Sequence, residues 1–172
     1  MKRTIKLKDS LGSIRLNKEF VLCGHPGIMS NRYIFTIDKP GLYNVFYNTK
    51  FIKNDYESYN LISEVAIVMD VKDDYVYGEL IANKISNQSH GGILICDSDV
   101  FSTLPEEFDD DIKLWNFFSN GLCMKKSTSF NSWCSNSIEC NIVFVPSHEY
   151  YTLYKEKNGN GFLIKCNAFD EL

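Results

Sequence analysis

Arg32-Tyr33-Ile34-Phe35-Thr36-Ile37-Asp38-Lys39-Pro40-Gly41-Leu42-Tyr43-Asn44-Val45-Phe46-Tyr47 reads as a strand, a turn and a second strand. Both flanks are rich in β-branched and aromatic side chains, which fit the half-buried face of a pleated sheet. Between them, Pro40 suits the second position of a tight turn and Gly41 the third. The stretch predicts a β-hairpin over residues 32–47. The same grammar recurs along the chain and decides the fold class.

Thr4–Lys8 alternates apolar and cationic residues, as a strand with one wet face should. Phe20–Cys23 is an apolar run stopped by the turn cluster Gly24-His25-Pro26-Gly27. Val65–Val71 and Tyr75–Ile81 flank Lys72-Asp73-Asp74 and predict a second hairpin. Gly92–Cys96, Ile142–Val145, Tyr150–Tyr154 and Phe162–Cys166 complete a set of about ten strands. The last two straddle Asn158-Gly159-Asn160-Gly161, a turn signal that favours positive φ. Residues 121–137 and 53–62 read as the longest loops.

One helix is predicted near 104–120. Thr103 and Glu106 have the capping-box spacing, and Asp109, Asp110 and Asp111 follow in the early turns, where the helix dipole favours carboxylates. Phe108, Ile112 and Trp115 fall on one helical face, and Asn120-Gly121 supplies a stop. A helix spreads consecutive side chains by about 100°, so the acidic triplet does not converge on one cation. Strands outnumber helices so heavily that the expected class is mainly β: a β-sandwich or open barrel of about ten strands with one amphipathic helix, in a single domain over residues 1–172.

Composition sets the outer bounds. Hydrophobic residues make up 44% and charged residues 23%, the balance of a globular domain with a real core. The cations of Lys2, Arg3, Lys6 and Lys8 are not followed by an apolar run, and no stretch reaches the roughly 18 apolar residues of a membrane span. The expectation is a cytoplasmic domain without membrane contact. In that setting the six cysteines (Cys23, Cys96, Cys123, Cys134, Cys140 and Cys166) read as reduced thiols, several acting as small core hydrophobes. Cys123, Cys134, Cys140 and His148 lack the close C-x2-C pairing of a structural zinc site, so neither metal nor cofactor is expected.

Val21–Ile28 and Leu94–Phe101 share an outline: an apolar strand ending in Cys, a polar turn, an apolar residue. Leu42–Tyr47 and Cys140–Val145 also resemble each other, so a duplication into two facing β-layers is one reading. Pro40-Gly41-Leu42-Tyr43-Asn44-Val45 resembles the P-G-x-Y-x-V hairpin of an uncharacterised family of bacterial and phage β-rich proteins. Gly91–Asp99 is similar to that family's strand ending in an aspartate-containing turn, although Ser89-His90-Gly91 stands where the family has Asp-Ser-Gly. The resemblance implies a β fold and no assigned chemistry.

Charge is unevenly distributed. Residues 55–111 hold fourteen carboxylates against two cations, Lys72 and Lys84, whereas residues 1–54 carry a net +7. A field of this kind steers a basic partner and repels nucleic acid. Tyr56, Tyr59, Tyr75 and Tyr77 lie among Glu57, Asp73, Asp74 and Glu79, and aromatics beside charge are the residues from which interfaces draw anchor energy. The leading expectation is therefore a non-enzymatic protein-binding module with an acidic surface at 55–111 for a basic protein. This is the charge logic of an inhibitor, an immunity-type protein or a phage counter-defence protein. The alternative is an enzyme or a metal or small-molecule binder built on Cys23, His25, Cys96 and Asp97 at equivalent strand ends. No P-loop, G-x-G-x-x-G, G-x-S-x-G or H-E-x-x-H motif is present to add to it.

Overall fold

The computed structural model describes residues 4–5, 9–23, 32–53, 58–86, 93–99, 131–134, 141–145, 150–157 and 161–166. These form twelve strands: β1 (Thr4–Ile5), β2 (Asp9–Leu16), β3 (Glu19–Cys23), β4 (Arg32–Thr36), β5 (Gly41–Lys53), β6 (Ser58–Val68), β7 (Tyr75–Ser86), β8 (Ile93–Asp97), β9 (Asn131–Cys134), β10 (Asn141–Val145), β11 (Tyr150–Glu156) and β12 (Gly161–Cys166). One sheet has seven strands in the order β1-β7-β11-β12-β6-β5-β2, and the other has five in the order β4-β3-β8-β10-β9. All pairings are antiparallel. The mainly β expectation holds. The helix expected near 104–120 lies outside the described residues.

Side-chain alternation places the core. Val65 and Ile67 of β6 face the same layer as Ile14, Leu16, Tyr43, Val45, Tyr151, Leu153, Phe162 and Ile164 from the seven-stranded sheet; Phe20 and Ile95 enter that layer from the other sheet. The Phe20 ring lies 4.6 Å from Phe162 and 5.2 Å from Phe35, so aromatic contact joins the two sheets. Burying a side chain of this size contributes about 1.5–3 kcal/mol, which makes the shared layer the main adhesive of the fold. A bulge at Ser63 resets the alternation: Asn48 pairs with Glu64 but Thr49 with Ile62, so Ile62 still reaches the core. Ala66, Val68, Leu163 and Tyr75 bury themselves on the opposite face, against Phe46, Tyr77 and Tyr154.

Two expected hairpins are corrected. The strands of residues 32–47 exist, but β4 pairs with β3 in one sheet while β5 pairs with β2 and β6 in the other. Residues 37–40 are thus a crossover between layers. Ile37 is buried, its N–H donates to the Lys18 carbonyl at 2.9 Å, and the Tyr43 hydroxyl donates to the Lys39 carbonyl at 2.6 Å. Sinking Ile37 into the core satisfies more apolar surface than a tight turn in water would. Likewise β6 and β7 do not pair, because β11 and β12 lie between them. Phe162, Leu163 and Ile164 are buried in sequence on both faces, the pattern of a central strand, and β12 takes that central place. The β11–β12 pairing itself is as expected. The expected loops at 53–62 and 121–137 contain the end of β5, the start of β6 and all of β9.

The two sheets meet differently along their two sides. β2 packs along β8, β9 and β10, which closes one seam. On the other side β4 is the last strand of its sheet among the described residues, and it lines a groove together with residues of β7, β11 and β12. Among the described residues, no helix is long and apolar enough to cross a membrane.

Candidate functional site

Cys96 and Asp97 close β8, and Cys23 closes β3. Those two strands are neighbours in one sheet and run antiparallel, with Phe20 opposite Asp97 and Cys23 opposite Leu94. The C-terminal ends of the two strands therefore sit at opposite ends of the pair, about 10 Å apart over three residues at ~3.3 Å each. A duplication into facing layers would instead place β3 and β8 in different sheets. Cys96 is buried and takes part in no disulfide. Asp97 is fully buried, and its carboxylate is occupied: Oδ2 accepts the Asn17 N–H at 2.6 Å and Oδ1 accepts the Asp99 N–H at 3.0 Å. It ties the start of the β2–β3 crossover to the end of β8. His25 lies outside the described residues, and among those described no group of three or more His, Cys, Asp and Glu is gathered closely enough to hold a metal ion.

The acidic middle of the chain divides by burial. Asp70, Asp73 and Asp74 are exposed on the β6–β7 connection. The one cation among them, Lys72, leans inward to Glu156, with Nζ 3.7 Å from Oε2 of a carboxylate that is 1% exposed. The outward face of the connection is left acidic. Tyr75 is buried; its hydroxyl donates to the Asp70 carbonyl at 3.2 Å and accepts the Lys72 N–H at 3.1 Å, so this ring shapes the connection from within. Burial, then the charges of Glu156 and Asp70, push the Tyr75 phenol above its ordinary pKa against the opposing Lys72 hydrogen bond. Burial and Asp38 do the same to Tyr43. Tyr77 is half-buried, edge-on to Tyr154 at 4.7 Å, and donates its hydroxyl to Glu64 Oε1 at 3.0 Å. Tyr59 lies in β6, Glu79 is exposed on β7, and Tyr56 and Glu57 lie outside the described residues.

The open seam is the more informative site. Phe35, Thr36, Glu79, Leu80, Ile81, Lys155 and Phe162 line a groove of about 310 Å³. Phe162 and Phe35 continue the core layer into its floor. Its β7 wall is apolar and uncovered, with Leu80 50% exposed and Ile81 37%; on the same edge strand as Phe35, outside the groove lining, Tyr33 is 42% exposed and Ile34 48%. Tyr33 stacks on Phe35 at 6.4 Å, so an aromatic row leads from Phe20 in the core to Phe35 on the edge strand and along that strand to Tyr33. Two charges mark the rim. Lys155 is neutralised by Asp38 at 2.6 Å, whereas Glu79 has no ion-pair partner among the described residues.

Of these groove residues, the sequence reading singled out Glu79 alone. A signal for the others was present. Leu80-Ile81 and Tyr33-Ile34-Phe35 break the alternation expected of strands with one wet face, which obliges one apolar side chain in each to point away from the core. No family model, no curated protein and no solved structure matches the chain.

Proposed function

We propose that this protein is a non-enzymatic binding module for a basic protein partner, in the manner of an inhibitor, an immunity-type protein or a phage counter-defence protein. The observation that carries the reading is Glu79, an exposed carboxylate at the rim of an apolar groove on the same strand that the acidic Asp70–Asp74 connection leads into. Apolar walls supply anchor energy and the surrounding carboxylates supply steering, which is the division of labour seen in charged interfaces. Of the residues of the alternative reading, Cys96 and Asp97 are buried, and Asp97 is engaged in holding the fold. Tagged wild-type protein and a variant carrying Asp73→Lys, Asp74→Lys and Glu79→Lys are compared by pull-down from native cells at low and high salt. A basic protein retained by the wild type at low salt, released at high salt and absent from the variant is the expected result. Equal retention by the variant would remove the acidic face from the function.

A further inference from the structure

We infer that the partner binds by strand addition: an extended segment with apolar residues at alternate positions and a basic residue near Glu79 pairs with the open edge of β4 and fills the groove. This rests on the basic-partner reading and specifies its mode. β4 pairs with β3 from Cys23–Arg32 to Glu19–Thr36, and no strand lies on its other side among the described residues. Edges that must stay unpaired are guarded by proline, lysine or a bulge. The charged residue of β4, Arg32, stands at its first position; Tyr33–Thr36 carry neither charge nor proline, and the register with β3 is unbroken. Over residues 33–36 the edge carries none of these side-chain guards.

The groove selects what that neighbour carries. Positions two apart on a strand share a face, so Tyr33 and Phe35 look inward together. A strand added about 4.8 Å beyond β4 would extend this inner layer and lay alternate side chains over the groove lining that β7 contributes at residues 79–81. Five residues of β4 span roughly 16 Å, enough for two or three inward side chains. The groove volume of about 310 Å³ accommodates inward side chains of this kind but not a large rigid ligand. Glu79 lines the groove beside Phe35 and Thr36 of β4 and has no ion-pair partner among the described residues, while Lys155 is paired with Asp38, so a lysine or arginine of the segment near Glu79 is attracted and an acidic residue there is repelled.

The test uses amide-resolved NMR and two synthetic nine-residue peptides, one alternating valine and lysine and one with proline replacing every second valine. The alternating peptide should shift amides in residues 32–36 and 79–81 and slow hydrogen exchange at the outward amides of β4. The proline peptide should do neither. Leu80→Ser should weaken the effect about tenfold. Tyr33→Pro and Ile34→Pro form an internal pair: successive N–H groups point to opposite sides of a strand, so one variant loses a bond to β3 and is destabilised. The other should fold normally and lose the peptide response. Shifts confined to Asp70–Asp74 would overturn strand addition while leaving the acidic surface standing. Equal response to both peptides, or concentration-dependent β4 shifts without peptide, would also overturn it, the latter by showing that a second copy occupies the edge. Absence of any shift at millimolar peptide overturns it outright.

Discussion

Asp97 and Gly161 show how single positions hold this fold for reasons that residue type alone does not declare. In the sequence Asp97 stands between Cys96 and Ser98 and invites a catalytic reading; in the fold it is a buried acceptor for two backbone N–H groups from different segments. Asp97→Ala leaves the Asn17 N–H without its partner, and removing a charged acceptor of this kind costs roughly 2–3 kcal/mol. The expected outcome is a lower urea midpoint with an unchanged slope; a midpoint equal to wild type would refute the clamp. Gly161 belongs to a sequence motif suited to a turn, yet it is the first residue of β12, opposite Val68. A Cβ there would collide with the Ile67 carbonyl oxygen and come within 2.8 Å of the Val68 Cα. Both obstacles include backbone, which cannot rotate aside. Gly161→Ala should therefore cost about 1–3 kcal/mol in thermal or urea unfolding, where the same change at an unconstrained strand glycine would stabilise.

At the scale of elements, what the sequence shows and what it hides follow from the range of the forces. Alternation is local, so β3, β4, β8, β10, β11 and β12 were legible close to their bounds. β2 and β9 were not: Asp9-Ser10-Leu11-Gly12-Ser13 and Asn131-Ser132-Trp133-Cys134 are polar enough to pass for loops, and they become strands because neighbours supply the ladder. Pairing is not local. Lys72-Asp73-Asp74 looks like a hairpin turn, but Tyr75 holds the connection from inside with two hydrogen bonds, and two other strands fill the space between its ends. This arrangement has a pH signature. The phenol pKa of Tyr75 is raised in the fold above its ordinary 10.0, so above that pH the unfolded chain gives up the proton more readily than the native one. The native state then binds more protons than the unfolded state, and stability falls as pH rises. Urea midpoints should be flat from pH 7 to about 9 and decline beyond ~10. Tyr75→Phe should shallow that decline while costing about 1 kcal/mol at neutral pH for the lost hydroxyl bonds. An identical alkaline slope in both proteins would exclude Tyr75 as its source.

The groove is a property of the whole molecule, and for that reason almost none of it could be read from the chain: its walls come from strands far apart in sequence, brought together because β4 crosses into the smaller sheet. The same crossings bear on cooperativity. The chain passes from the seven-stranded sheet to the five-stranded one after β2 and returns after β4, and the two passages touch where Ile37 donates to Lys18. Asp97 ties the first passage to β8, and Lys155 ties the second to β11 through Asp38. Phe20 and Ile95 meanwhile share their layer with the larger sheet, so neither sheet has a complete core alone. Opening one exposes the other. Native-state hydrogen exchange should accordingly give one free energy for buried amides of β6 and β12 and for those of β3 and β8, equal to the global value from urea, while outward amides of β4 exchange through local opening. Phe20→Ala should lower both sheets together by about 3–5 kcal/mol, because the ring it removes serves both. If the five-stranded sheet instead exchanged more than about 1 kcal/mol below the larger one, the stitching at the crossovers would be too weak to couple them, and the open seam would be a hinge rather than a fixed groove.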